Sequence, residues 1–237
     1  MLLHSINLAI VDDHTLYRKA LKDFISAHAN MNVVIQSPDI PDLLNKLKDF
    51  DVHILLMDIY MPKLSGVDAV KVIRSEYPNV KILVVSMCTD VELLSELLDS
   101  GVYGILSKAD EPDDLIHAIV SIAEQRIFRS KLFTEVMYWS KQHNIKKYAD
   151  VDPVSLNERE KSVLQLLWEE KSNKEIASHL FLSVRSVEKI RQDIKEKLGA
   201  KSTVGLLKYA IHEKIIQVNS AYTYGKQLQT EKQTRLI

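Results

Sequence analysis

Asp12 and Asp13 stand side by side at the end of a short apolar run, residues 6–11. A second run, 52–57, ends in Asp58; a third, 80–85, ends in Ser86; a fourth, 102–106, passes through Ser107 into Lys108. Four strand-like segments thus each stop on a group able to handle a phosphate or a hard cation, and open parallel sheets bind ligands at the carboxyl ends of their strands. If the three carboxylates converge, they form a pocket for a divalent cation, most plausibly Mg2+, which keeps waters and takes one or two carboxylates. One carboxylate oxygen left off the metal can attack phosphorus and become an acyl phosphate. The metal offsets repulsion from the incoming oxygens, Lys108 pairs with one phosphoryl oxygen, and the Ser86 hydroxyl bonds another. A single acid after a strand more often caps a helix. The full constellation, placed at successive strand ends, favours the chemical reading. His14, beside the acidic pair, reads as an exposed helix start.

Between these strand ends lie segments with helical spacing: 14–27, 41–47 opened by Pro41, 67–77 stopped by Pro78, 90–100 closed by Gly101, and 112–125 opened by Pro112. With residues 33–35 as a further strand, five strands alternate with five helices. The pattern calls for a parallel sheet covered on both faces and wound by right-handed crossovers.

The 237 residues suit two domains rather than one. With 46% hydrophobic residues, a sizeable core is expected. A lone cysteine, Cys88, excludes an internal disulfide and points to a reducing compartment. No basic leader precedes a long apolar stretch, and no run approaches the length of a membrane span, so a cytoplasmic, soluble chain is expected, with no membrane partner. The net charge of −1 hides an asymmetry. Residues 1–130 carry 12 Lys and Arg against 19 Asp and Glu, and residues 131–237 carry 19 against 13. A basic back half makes nucleic acid a candidate partner there.

Residues 128–152 read as a linker, partly helical, and 218–237 as a flexible tail. From Ser155 the chain is helical again. Asn157 and Glu160 are spaced as an N-cap and its reciprocal partner. A short helix is expected over 174–180, a longer one over 184–198 (ended by Gly199) and a further one over 202–215. Two helices joined by a tight turn, the second polar and basic, suit a helix-turn-helix.

The front half resembles the receiver domain of bacterial two-component response regulators. The residues that carry the resemblance are Asp12-Asp13-His14, Asp58 with Met61-Pro62 and Gly66 behind it, Ser86 and Lys108. The resemblance implies a doubly wound, flavodoxin-like α/β fold over residues 1–127. It makes Asp58 the phosphoacceptor, with Mg2+ held by Asp12, Asp13, Asp58 and the backbone carbonyl of Tyr60, and makes Ser86 and Lys108 the sensors of the phosphoryl group. Relatives usually carry an aromatic switch residue three positions before the lysine; here that position is Ile105. Tyr103, two residues earlier, is expected on the same face of the strand. A bulky Tyr60 is placed to shield the acyl phosphate from water.

Residues 153–217 resemble the LuxR/NarL-type DNA-binding domain, a four-helix module. The resemblance rests on 156–160, 163–167, Ser172 to Ala177, Leu182-Ser183, Val187, Ile194 and 197–199. It implies that residues 184–198 enter the major groove of double-stranded DNA. Val187, Ile190, Ile194 and Leu198 repeat every three to four residues and should face the domain. Lys189 and Gln192 are then the base-edge candidates, with Glu188 able to accept from a cytosine amino group. Arg185, Arg191, Lys195, Lys174 and Lys201 are the phosphate candidates.

Together the two halves imply a transcription regulator, not a turnover enzyme. A histidine kinase would phosphorylate Asp58, with the receiver assisting its own phosphotransfer and dephosphorylation. Phosphorylation would then alter homodimerisation and promoter binding. Two alternatives stay open. One is a phosphorylation-independent regulator whose receiver is only an interaction module. The other is an aspartyl-nucleophile, Mg2+-dependent phosphatase, against which stands Tyr60 where such enzymes place a second Asp.

Overall fold

The computed structural model describes residues 5–61, 64–143, 155–200 and 202–216. Lys201, the linker beyond residue 143 and the 218–237 tail lie outside the described residues.

In the front half, β1 (Ile6–Val11), α1 (Thr15–Ser26), β2 (Met31–Ser37), α2 (Ile40–Lys46), β3 (Ile54–Met57), α3 (Gly66–Glu76), β4 (Lys81–Ser86), α4 (Val91–Ser100), β5 (Gly104–Ser107) and α5 (Pro112–Ala123) alternate along the chain. The strands form one sheet in the order β2-β1-β3-β4-β5 with parallel pairing throughout. Central strands covered on both faces are continuously apolar, and all four residues of β3 are buried. Side chains alternate across the sheet. Leu8, Ile10, Ile54, Leu56, Leu83, Val85 and Leu106 pack with α1 and α5. Ala9, Val11, Leu55, Met57, Ile82, Val84 and Ile105 pack on the other side with α2, α3 and α4.

Register explains why the reactive groups meet. Val11 pairs with Met57, Met57 with Val84, and Ser86 with Ser107. The residues just past these pairs, Asp12, Asp58 and Lys108, therefore emerge at one edge beside Ser86. Helix starts fix the loops between them. Ser65 caps α3 through the Asp68 N–H at 3.2 Å, and Asp90 caps α4 through Glu92 and Leu93. Gly66 lies against the loop after β3, and a Cβ there would come 2.8 Å from the Ile59 Cβ, so only glycine fits without a shift.

The segment after α5 is more than a tether. Ser130 donates its hydroxyl to the Ile105 carbonyl at 2.5 Å and accepts from the Phe133 N–H at 2.9 Å. It thereby caps α6 (Lys131–His143) and ties it to β5. Phe133, Val136 and Met137 are buried from this helix and share one apolar core with the α4 side of the sheet and with the C-terminal helices. Those helices are α7 (Glu158–Trp168), α8 (Asn173–His179), α9 (Val184–Leu198) and α10 (Thr203–His212). The Asn157–Glu160 capping box forms as its spacing predicts, and Ser172–Glu175 repeats it at α8. Gly199 ends α9 at φ 60°, a left-handed cap favoured for glycine. Among the described residues no helix is long and apolar enough to cross a membrane.

Candidate functional site

Asp12, Asp58 and Ser86 are buried, at 2%, 4% and 2% exposure, whereas Asp13 is exposed. Asp58 Oδ1 accepts from the Ile59 N–H at 2.7 Å, the Tyr60 N–H at 3.3 Å and the Ser86 hydroxyl at 2.8 Å. Its other oxygen, Oδ2, lies 2.6 Å from Lys108 Nζ, and the same ammonium lies 2.7 Å from Asp12 Oδ2. The chain thus fixes one oxygen of Asp58 by three donors and leaves the second facing the Lys108 ammonium. Burial alone would raise the Asp58 carboxyl, but the hydrogen bonds from Lys108 and Ser86, and the Lys108 charge, hold it below its ordinary range. Burial likewise opposes the charge on Lys108, and the bonds from Asp12 and Asp58 overcome it and raise its pKa. Asp58 is a carboxylate near neutral pH, the form in which a carboxyl group can act as a nucleophile.

Three further side chains join this cluster that strand-end reasoning does not identify. His14 stands exposed at the N-cap of α1, yet its Nδ1 lies 3.2 Å from Asp12 Oδ1 and 2.9 Å from Asp13 Oδ1. Arg18 donates from Nη1 to the Asp12 carbonyl. The Tyr17 ring lies 4.6 Å from Lys108 Nζ, a cation–π contact that steadies the ammonium. Tyr17 and Arg18 sit in the first turn of α1, so helical spacing from the acidic pair is the signal that could have found them, whereas His14 is placed by the turn before the helix. Oxygens of Asp12, Asp13 and Asp58, with a His14 ring nitrogen, lie within 4.8 Å of one another. Three carboxylates at that spacing fit a hard divalent cation.

Tyr60 is 54% exposed, and its hydroxyl donates to Cys88 Sγ at 3.2 Å. The pair spans from the loop after β3 to the loop after β4. Ile105 is fully buried in the α4-side core. Tyr103 does not share its face, as two-residue alternation predicts, but packs with the α1–α5 core. It precedes β5, so the strand's alternation does not extend to it.

In the back half, Val187 and Ile194 of α9 are buried, with Ile190 and Leu198 half-buried against the same core. Arg185, Glu188, Lys189 and Gln192 are exposed on the opposite side, as is Lys174 on α8. Gln192 donates to Glu196 at 2.8 Å. Arg191 and Lys195 are placed differently: both line a cleft against the receiver, opposite Arg74 and Arg126. Helical periodicity separates an apolar from a polar face; it does not say which part of the polar face another domain covers.

That contact between domains is specific. Lys208 of α10, 4% exposed, donates to the Ser95 carbonyl and hydroxyl, both at 2.8 Å, and to Asp99 Oδ1 at 2.7 Å. The Ser202 hydroxyl donates to the Leu98 carbonyl at 3.1 Å. Asn173 donates to Gln125 at 2.7 Å, and the Arg129 N–H donates to Glu170 at 2.9 Å. The back half is therefore seated on α4 and on the segment after α5.

Residues 8–120 match the response regulator receiver domain family, and residues 154–210 match the family of bacterial regulatory proteins called luxR. Among curated proteins, the oxygen regulatory protein NreC of Staphylococcus aureus (strain NCTC 8325 / PS 47) is 31% identical over 216 residues, covering 90% of this chain and 100% of the relative. Among solved structures, an RcsB response regulator from Salmonella typhimurium shares 27% identity at a TM-score of 0.55, covering 87% of this chain and 98% of that one. RcsB from Salmonella enterica serovar Typhimurium, bound to promoter rprA in the presence of phosphomimetic BeF3-, shares 26% at a TM-score of 0.54, covering 88% and 99%.

Proposed function

The chain belongs to the response regulators, a receiver domain joined to a luxR-family regulatory domain, and on that premise we propose that Asp58 accepts a phosphoryl group and that its phosphorylation governs DNA binding by the back half. The observation that carries this reading is the division of labour at Asp58: Oδ1 held by three donors, Oδ2 facing Lys108 alone.

A kinase phosphohistidine is the donor expected for such a site. Asp12, Asp13 and Asp58, with the Tyr60 carbonyl, would hold Mg2+, which when bound neutralises charge on the transferring phosphoryl oxygens. The chain's own residues do the rest. The Ile59 and Tyr60 N–H groups orient the carboxylate. Lys108 moves from Oδ2 to a phosphoryl oxygen, keeping its contact with Asp12. The Ser86 hydroxyl turns from Oδ1 toward a second phosphoryl oxygen, carrying the signal into β4. By placing these groups the receiver assists its own phosphorylation and, with water, its dephosphorylation. Turnover of free phosphate esters is not its task, since Tyr60 supplies no carboxylate to protonate a leaving group.

In the back half, α9 enters the major groove of double-stranded DNA, as a homodimer on a two-fold site. Lys189 and Gln192 read base edges, Glu188 accepts from a cytosine amino group, and Arg185 and Lys174 meet phosphates. Arg191, Lys195 and Lys201 add phosphate contacts, the first two after leaving the receiver.

Incubation with acetyl phosphate and Mg2+ tests the first step. Mass spectrometry should find one phosphoryl group on the wild type and none on Asp58→Asn. A wild type left unlabelled with Mg2+ present contradicts the proposal and favours a receiver that serves only as an interaction module.

A further inference from the structure

The cleft between receiver and back half is lined by four cations, Arg74 and Arg126 on one side and Arg191 and Lys195 on the other. Arg74 reaches it because Gly101, at φ 103°, carries no side chain; a Cβ there would lie 3.2 Å from Arg74 Nε. The counter-charges do not match. Arg126 is paired, with Glu124 at 2.8 Å and Glu175 at 3.4 Å. Arg191, by contrast, donates to two neutral oxygens, Asn173 Oδ1 and, at 2.9 Å, Thr203 Oγ1. Arg74 donates to the Pro78 carbonyl at 3.2 Å. The Lys195 carbonyl accepts from the Ala200 N–H, but its ammonium has no hydrogen bond or ion pair to another described residue. Burial lowers its pKa, and the charges of Arg191 and Arg74 lower it further. Lys81 feels Arg191 in the same way, after burial. Like charges gathered in a partly dehydrated cleft repel more than they would in water, and an anion among them would relieve that repulsion.

We propose that this cleft binds one small oxyanion of the phosphate class, held jointly by the receiver and the back half. Guanidinium forks match the paired oxygens of such an ion, and the first turn of α10, which lines the same cleft, offers a helix N-terminus. The space enclosed between the four cations is small, which favours a single tetrahedral ion over a larger ligand. The site exists only while the domains are closed, because each domain supplies half its cations. An ion that binds one state stabilises that state. The consequence for DNA rests on the function proposed above: Arg191 and Lys195, withheld around the oxyanion, are withheld from DNA phosphates.

Calorimetric titration of sodium phosphate into the full chain tests this directly. A chelator keeps cations out of the acidic pocket, and sodium chloride of matched ionic strength is the blank. One site per chain is expected, weakened about tenfold or more by Arg74→Gln and by Lys195→Gln, with thermal melts showing that both variants fold. Arg126→Gln, which also loosens a contact between the domains, should weaken it too. No binding above the chloride blank overturns the proposal. So does binding lost in Lys195→Gln but intact in Arg74→Gln, which would put the ion on the open surface of α9. The calorimetry needs no DNA, so a chain that bound phosphate but not DNA would contradict the functional reading and leave this site standing.

Discussion

Lys208 Nζ lies 2.7 Å from Asp99 Oδ1, joining the last helix of the back half to α4 of the receiver through an ammonium that is almost wholly buried. The Ser95 carbonyl and hydroxyl also accept from it. A buried charge is tolerated only when so satisfied. The closed arrangement therefore depends on this residue more than on the exposed pairs around it.

Lys208→Met should loosen the domains. Losing charge-assisted bonds and leaving Asp99 without its ammonium costs about 1–3 kcal/mol, enough to shift the closed-to-open ratio roughly tenfold. Small-angle scattering should show a larger radius for the unphosphorylated variant. Gel-shift titration should show tighter DNA binding without phosphorylation. A variant as compact as the wild type would remove Lys208 from the account.

The ionisation of Asp58 predicts a pH window. Its folded pKa lies below the ordinary value, so its charge contributes stability fully above about pH 4, and that contribution is lost as pH falls through the lower folded value. Lys108 works the other way, its raised pKa keeping its contribution present below the ordinary lysine range. The stability of the wild type relative to Asp58→Asn should stay level between pH 7 and 5 and converge only in stronger acid. Convergence already near pH 6 would mean that Lys108 and Ser86 do not outweigh burial.

Tyr60 should protect the acyl phosphate. Its ring stands half-exposed at the site's rim with its hydroxyl on Cys88. Tyr60→Ala should shorten the lifetime of phosphorylated Asp58 several-fold in a chase without donor, with labelling intact. An unchanged lifetime would leave the tyrosine no role in excluding water.

The recognition helix predicts two kinds of loss. Lys189→Ala and Gln192→Ala should each cost about 1–3 kcal/mol at the base they read and relax preference there. Arg185→Ala should weaken binding to all sequences alike and reduce the salt dependence by about one ion. Competition binding across single-base variants of a selected site, at several salt concentrations, separates the two.

How far the sequence could be read follows from the kind of pattern each feature leaves. Strand ends are legible because continuous apolar runs stop where polarity begins, and parallel register then brings Asp12, Asp58, Ser86 and Lys108 together. Caps such as Asn157–Glu160 are legible because they are local. His14 was not, because its bonds to both acids depend on the turn between β1 and α1 rather than on spacing. The first half of the linker was legible as partly helical, but not as part of the core, because the apolar residues of α6 do not say which surface buries them. The orientation of Arg191 and Lys195 toward the receiver was not, because one polar helix face can meet water, DNA or another domain with the same periodicity.

Control of the DNA affinity of α9 by phosphorylation of Asp58 is decided by a single titration. DNA containing a selected site is titrated with the full chain before and after acetyl phosphate and Mg2+, beside Asp58→Asn treated identically. Binding tighter by about tenfold or more is expected for the phosphorylated wild type, equivalent to about 1.4 kcal/mol, with no change for Asp58→Asn. Equal affinities for labelled and unlabelled wild type, with labelling verified on the same sample, would contradict it.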